Sequence, residues 1–335
     1  MAVQSSPWLR RPRGVPAVMG HVLLALLPGT AVAVWVWGPG LLLNLALVAL
    51  GALATEALLL RWRGRPLQRH LFDGSALLTA ILLGLSLPPW LPWWQPLLGG
   101  AFAIAIGKQL FGGLGYNPFN PAMLGYVMLL ISVPVSMTQW PQAGLGWGAL
   151  PLGYIAGDVP AATLDGLTGA TPLDAVRSGL TQQRTLGEML PGTPLTPALW
   201  LAAAWALGGA WLLFQRVISW RIPVAMLAGI ALPALIASAI DPDRFAGVGF
   251  HWLYGASIFG ALFIATDPVS GSTTPRGRLI FGFGVGLLTW IIRSFGGYPD
   301  GVAFAVLLMN IAVPLIDAHT PTRVYGTGKA QTPRP

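Results

Sequence analysis

The chain has 335 residues, 54% of them hydrophobic and 9% charged, where a soluble domain carries about 25% charged residues. That deficit excludes an ordinary soluble globule, and the hydrophobicity excludes a disordered chain. Cysteine is absent, which excludes disulfides, thiolate zinc sites, iron–sulfur clusters and cysteine nucleophiles within this chain.

A spanning helix takes about 20 apolar residues. On that measure the chain reads as an all-α polytopic membrane protein with ten spans, at 21–37, 41–60, 75–91, 94–107, 121–135, 197–214, 222–240, 252–265, 278–292 and 300–316. Arg10, Arg11 and Arg13 precede the first span, and Ala31-Val32-Ala33 within it has the look of a signal cleavage site. Removing that span would spoil the charge alternation downstream, so it is read as a membrane helix.

Starting inside, an even count returns both termini to the cytoplasm. Fifteen of the 19 basic residues then fall in inside segments, Arg61, Arg63, Arg65, Arg69 and Lys108 among them, and only Arg177, Arg184, Arg244 and Arg293 fall outside. This is the positive-inside asymmetry. The net charge of +8 therefore reports topology and implies no nucleic acid.

Within the spans, Trp35, Trp37, Trp90, Trp93 and Trp94 cluster at predicted outer ends and read as an interfacial belt. Glu56 is the deepest ionisable residue and reads as snorkelling, one turn from Arg61. Asn44 and Asn310 read as hydrogen bonds between helices, and Gly282-x-x-x-Gly286 as a close helix contact. The four histidines (His21, His70, His251, His319) stand far apart with no metal-ligand spacing, so no catalytic metal is expected.

The two halves share a pattern. His70-Leu71-Phe72-Asp73-Gly74 opens the third span and His251-Trp252-Leu253-Tyr254-Gly255 the eighth, with Pro88 and Pro268 closing them. Lys108 and Arg293 each shortly precede a Phe-Gly-Gly, at Phe111 and Phe295, and Tyr116-x-Pro118 and Tyr298-Pro299 follow. The third span starts inside and the eighth outside, as an inverted five-plus-five repeat requires. The organisation is then a first membrane repeat at 1–135, an outer loop at 136–196, a second repeat at 197–320 and a cytoplasmic tail at 321–335. Such repeats place sites at helices broken by Gly and Pro. Gly112 to Pro121 and Asp267 to Pro275 are the candidates, either as pocket-lining breaks or as plain surface turns. Asn117, Asn120 and Asp267 within these segments, with Asp300 at a predicted span end, are the ion-path or broken-helix candidates.

In the outer loop, Asp165-Gly166-Leu167-Thr168-Gly169-Ala170-Thr171-Pro172-Leu173-Asp174 reads first as a helix start: Thr171 as N-cap, Pro172 at N1, Asp174 at N3. A helix N-terminus also seats a phosphate, and Gly169 and Ala170 leave the Thr171 hydroxyl open. Asp165-x-x-Thr168-Gly169-Ala170-Thr171 resembles the motif recognised by flavin transferases, which move FMN onto the last hydroxyl. With Asn117 to Tyr126, Ala265 to Arg278 and Arg293 to Asp300, the chain resembles the RnfD/NqrB family. Its members are membrane subunits of the Rnf ion-translocating ferredoxin:NAD oxidoreductase and of the sodium-translocating NADH:quinone oxidoreductase. The likeness runs from about residue 15 to 320.

The resemblance implies FMN joined to Thr171 by a phosphoester, with Asp165, Thr168, Gly169 and Ala170 as the recognition motif, and a second, non-covalent flavin, riboflavin, at no assigned residue. It implies partner subunits of the Rnf complex carrying iron–sulfur clusters and other flavins, a periplasmic flavin transferase, and a place in the bacterial inner membrane with the flavin loop periplasmic. The chain's role would be electron transfer coupled to movement of H+ or Na+. Arg177 or Arg184 is the expected partner of the FMN phosphate, as the basic residues of the loop, with solvated surface arginines as the alternative. The competing function is a small-solute channel or transporter on the same repeat.

Overall fold

The computed structural model describes residues 14–141, 168–193, 195–298 and 300–322. Among these residues the regular elements are helices except for one pair of two-residue strands. Among the described residues six helices are long and apolar enough to cross a membrane: α1 (Val15–Trp37), α2 (Gly40–Trp62), α10 (Leu195–Phe214), α11 (Arg221–Ile240), α14 (Pro275–Phe295) and α15 (Val302–His319). Between them lie α3 (Leu67–Leu71), α4 (Ser75–Ser86), α5 (Trp94–Ile104), α6 (Pro121–Ser132), α7 (Pro134–Thr138), α8 (Pro172–Thr181), α9 (Leu186–Met189), α12 (Val248–Leu253) and α13 (Ser257–Phe259).

Each of the ten predicted segments contains helix, and the differences lie at breaks. The segment at 75–91 stops at Ser86, because Pro88 and Pro89 lack donors and bias the preceding residues to extended backbone. The segment at 121–135 stops at Ser132, ahead of Pro134. α5 runs on as one π-turn, Ala105–Gln109. The segment at 252–265 is split: α12 ends at Leu253, Gly255 turns the chain in left-handed backbone (φ +74°), and α13 passes into a second π-turn at Gly260–Ile264. Gly74, at the same offset from its own histidine, also has positive φ (+80°). The breaks at 112–120 and 265–274 are followed by capped helices. Asn120 Oδ1 accepts from the amides of Ala122 and Met123 (3.0 and 3.2 Å), and Thr274 Oγ1 from that of Gly277 (2.9 Å).

The same pairings recur in both halves. α2 packs along α5 as α11 packs along α14, and α5 meets α6 as α14 meets α15; α1 against α10 and α6 against α15 join the halves. Both long pairings rest on reciprocal glycines. A Cβ on Gly51 would strike the Leu97 carbonyl and one on Gly100 the Val48 carbonyl; Gly229 and Gly286 stand likewise against the Phe283 and Met226 carbonyls. Glycine lets the backbones meet, which is how apolar helices associate where lipid removes the hydrophobic drive. Gly282 and Gly286 thus form the close contact expected of them.

Candidate functional site

Thr171 is built by its neighbours in sequence. β1 (Trp140–Pro141) pairs antiparallel with β2 (Thr168–Gly169), Trp140 opposite Gly169, which fixes the approach to α8. Thr171 then takes extended backbone (φ −60°, ψ 157°), and its Oγ1 accepts the Asp174 amide at 3.2 Å, with Pro172 at the first helical position. α8 is held down by Leu173 against Tyr254 and Ala198, and by Val176 against Leu186, Met189 and Ala246. Burial holds the Asp174 carboxyl above the usual carboxylate range, against the opposing pull of the Arg177 guanidinium and the Thr171 hydroxyl.

Thr171 lines a cavity of about 790 Å³. Its walls come from both halves: Trp37, Met123 and Tyr126 from the first, Trp205, Tyr254 and Phe259 from the second. Trp37 packs on Trp140 with ring centroids 5.2 Å apart, and Trp205 on Phe259 at 4.8 Å. The volume falls in the range of about 300–1,000 Å³ typical of small-molecule sites, and the lining is largely apolar with a few polar groups, as in such sites.

A second, small cavity of about 90 Å³ brings together Asn117, Asn120, Asp267, Lys108 and Ser75. The two cavities share a wall. Met123 faces the large one and Ala122 the small one; Phe259 faces the large and Phe263 the small, the two phenyl rings stacked at 5.8 Å.

The model of the NQR2, RnfD, RnfE family matches residues 2–326. The chain belongs to this family. Relatives named as subunits of an ion-translocating oxidoreductase complex include one from Aeromonas hydrophila subsp. hydrophila, 48% identical over 97% of this chain and 98% of the relative. One from Cronobacter sakazakii is 48% identical over 97% and 98%, and one from Escherichia fergusonii 46% identical over 98% and 99%.

In this member of the NQR2, RnfD, RnfE family, Gly169, Ala170 and Thr171 stand together on the large cavity. Thr168 continues the strand before them, and Asp165 lies outside the described residues. Arg177 donates from Nη1 to the Gly297 carbonyl, whereas Arg184 lines the cavity, 3.8 Å from Glu188. Asn117, Asn120 and Asp267 meet at the small cavity, but Asp300 lines the large one. Asp300 accepts from Arg293 Nη2 (3.0 Å) and from the Ala256 amide (3.0 Å), so it pins the Gly255 turn. Asn120 ties the halves: its amide donates to Asn310 Oδ1 (3.1 Å) and its Nδ2 to the Ile264 carbonyl (3.2 Å). Asn310 in turn donates to the Ser270 carbonyl, and Asn44 to the Pro88 carbonyl, so each bonds from its helix to a break in the chain rather than to another helix as expected.

Three further sequence readings are corrected. Glu56 does not snorkel: it is fully buried and faces Lys108 and Gln109. Lys108, counted as an inside surface charge, is buried with it, 2.6 Å from Ser75 Oγ. Trp90 is buried against Gly40 and Trp37 lines the cavity, so neither is an interfacial anchor, while Trp35, Trp93 and Trp94 are exposed as a belt requires.

Proposed function

We propose that this protein is an electron-transfer subunit of an ion-translocating oxidoreductase complex, carrying FMN as a phosphodiester on Thr171. The observation that carries this reading is the Thr171 hydroxyl at the edge of a cavity of about 790 Å³ walled by aromatic side chains. The relatives' shared name, which makes each of them part of such a complex, supports the complex; the Thr168-Gly169-Ala170-Thr171 sequence supports the attachment. When bound, the flavin supplies reversible one- and two-electron chemistry. The chain's own contribution is position. The N-cap holds the hydroxyl at the cavity edge, Trp37, Trp205 and Tyr254 offer flat apolar faces, and Arg184 is the better placed cation for a phosphate, since Arg177 is engaged by Gly297.

The wider reading is a ten-span inner-membrane protein with an inverted repeat, the Thr171 loop periplasmic and both termini cytoplasmic. The recurrent glycine contacts, the positive φ at Gly74 and Gly255 and the matching helix pairings support the duplication. Partner subunits with iron–sulfur clusters, a flavin transferase, ferredoxin:NAD specificity and a non-covalent riboflavin belong to the same proposal.

The test is a denaturing gel of the full chain, made in cells with the transferase and viewed under ultraviolet light. A fluorescent band that is retained in Thr171→Ser and lost in Thr171→Ala is expected; a dark wild-type band overturns the attachment.

A further inference from the structure

α2 has two faces. Val48, Ala52, Glu56 and Leu60 point inward and are buried, whereas Leu50, Ala54, Leu58 and Trp62 form an exposed ridge at i, i+4 spacing. That ridge, apolar throughout, ends in a cluster of guanidiniums. Arg61 closes α2, Arg63 and Arg65 flank the left-handed Gly64 turn (φ +63°), and Arg69 lies on α3; all four are exposed. Residues 57–72 contain neither Asp nor Glu. Among the described residues, none of these arginines has an acidic partner. Arg63 donates to Gln109 Oε1 (3.4 Å) and Arg65 to the Gly112 carbonyl (2.9 Å), which seats them against the loop after the π-turn. Around them stand exposed aromatics: Trp62 at 84%, Phe72 at 79% and Tyr116 at 75%.

Four like charges on one surface repel one another unless an anion lies between them. Aromatic rings interleaved with those charges want a medium that is half apolar and half wet. A bilayer's headgroup region meets both demands. We propose that the segment Arg61 to Phe72, with the Gly112 to Tyr116 loop, is a binding surface for anionic phospholipid. The guanidiniums take the headgroup phosphates, and Trp62, Phe72 and Tyr116 lie at the acyl boundary. The occupant is lipid rather than a protein partner because the ridge Leu50–Ala54–Leu58–Trp62 leads acyl chains directly to the arginines.

The test titrates the purified full chain in detergent with phosphatidylglycerol and, separately, phosphatidylcholine, reading bound lipid by native mass spectrometry. Wild type is expected to prefer phosphatidylglycerol about tenfold or more, each polybasic charge contributing near the surface. Each single Arg→Gln change at 61, 63, 65 or 69 lowers the preference about two- to fivefold, and the fourfold Arg→Gln variant brings it near parity. The fourfold Arg→Lys variant keeps most of it. Trp62→Ala with Phe72→Ala weakens both lipids alike. The single variants keep the test valid should the fourfold one not fold. Equal binding of both lipids by wild type overturns the proposal. So does a preference untouched by any Arg→Gln change. The readout is lipid, so it stands or falls apart from the flavin on Thr171.

Discussion

Lys108 Nζ lies 2.5 Å from Glu56 Oε1, and both side chains are shut off from solvent. A charge pair in this setting is neutralised only by its partner and by the hydrogen bonds around it, here from Gln109 to Glu56 and from Lys108 to Ser75. Removing one member strands the other, at a cost of about 3–5 kcal/mol, whereas removing both is far milder. Lys108→Met and Glu56→Gln alone are therefore expected to lower the unfolding temperature sharply in detergent, and the double variant to recover much of the loss. Equal loss in single and double variants would mean that the pair contributes no coupling.

Asn120 and Asn310 join the two halves through one backbone-to-side-chain bond of 3.1 Å. Polar bonds between membrane helices average about 0.6 kcal/mol and reach about 1.7. The donor at Asn120 is backbone and survives any substitution there, so the acceptor is the member to remove. Asn310→Ala, measured by thermal or denaturant unfolding, is expected to cost about 0.6–1.7 kcal/mol, and an unchanged stability would show that the bond contributes nothing.

Gly286 and Gly297 provide a matched pair of substitutions. A Cβ at Gly286 would press on the Met226 carbonyl in the α11–α14 contact, and one at Gly297 meets nothing within 4 Å. Overpacking of this kind costs about 1–3 kcal/mol. Gly286→Ala should destabilise the protein by that amount and Gly297→Ala by much less, read as unfolding temperatures of the two purified variants.

Thr171 caps α8 through its Oγ1, which accepts the Asp174 amide. Loss of an N-cap side chain costs about 1 kcal/mol, so Thr171→Ala should raise hydrogen exchange across 172–181 while Thr171→Ser leaves it near wild type. The same substitutions in protein made without flavin transferase should behave identically, which separates the cap from any attached group.

Asp174 sets a pH dependence of known sign. Burial raises its pKa in the folded protein, so its contribution to the stability of α8 is full below about pH 4, the ordinary carboxylate value, and is lost as pH rises through the raised value. Exchange protection of 172–181, corrected for intrinsic rates, should fall from about pH 4 towards neutrality. Asp174→Asn should flatten that slope; a slope unchanged by the substitution would assign it to another group.

The sequence revealed the parts whose cause is local. Thr171, Pro172 and Asp174 spell a helix start within four residues, and Gly112 to Pro121 spells a break through its glycines and prolines; both are found. The Glu56–Lys108 pair was hidden because its members stand 52 residues apart. Nothing near Glu56 announces Lys108, while Arg61 offers a nearer and misleading partner. Trp37 and Trp90 were misread for a related reason. Position along a span says where a tryptophan sits in depth, but not which way it faces, and these two turn to a cavity and to Gly40. Arg177 and Arg184 were indistinguishable by composition and are separated by what each reaches in space, the Gly297 carbonyl for Arg177 and the cavity wall beside Glu188 for Arg184.

Phe259 and Phe263 belong to one short stretch of chain, stacked at 5.8 Å, yet they front different chambers. Each ring has open volume on the side its chamber occupies and its neighbour's ring on the other. The two phenyls are thus a common partition, and a guest large enough to shift Phe259 reaches the ring that walls the smaller chamber.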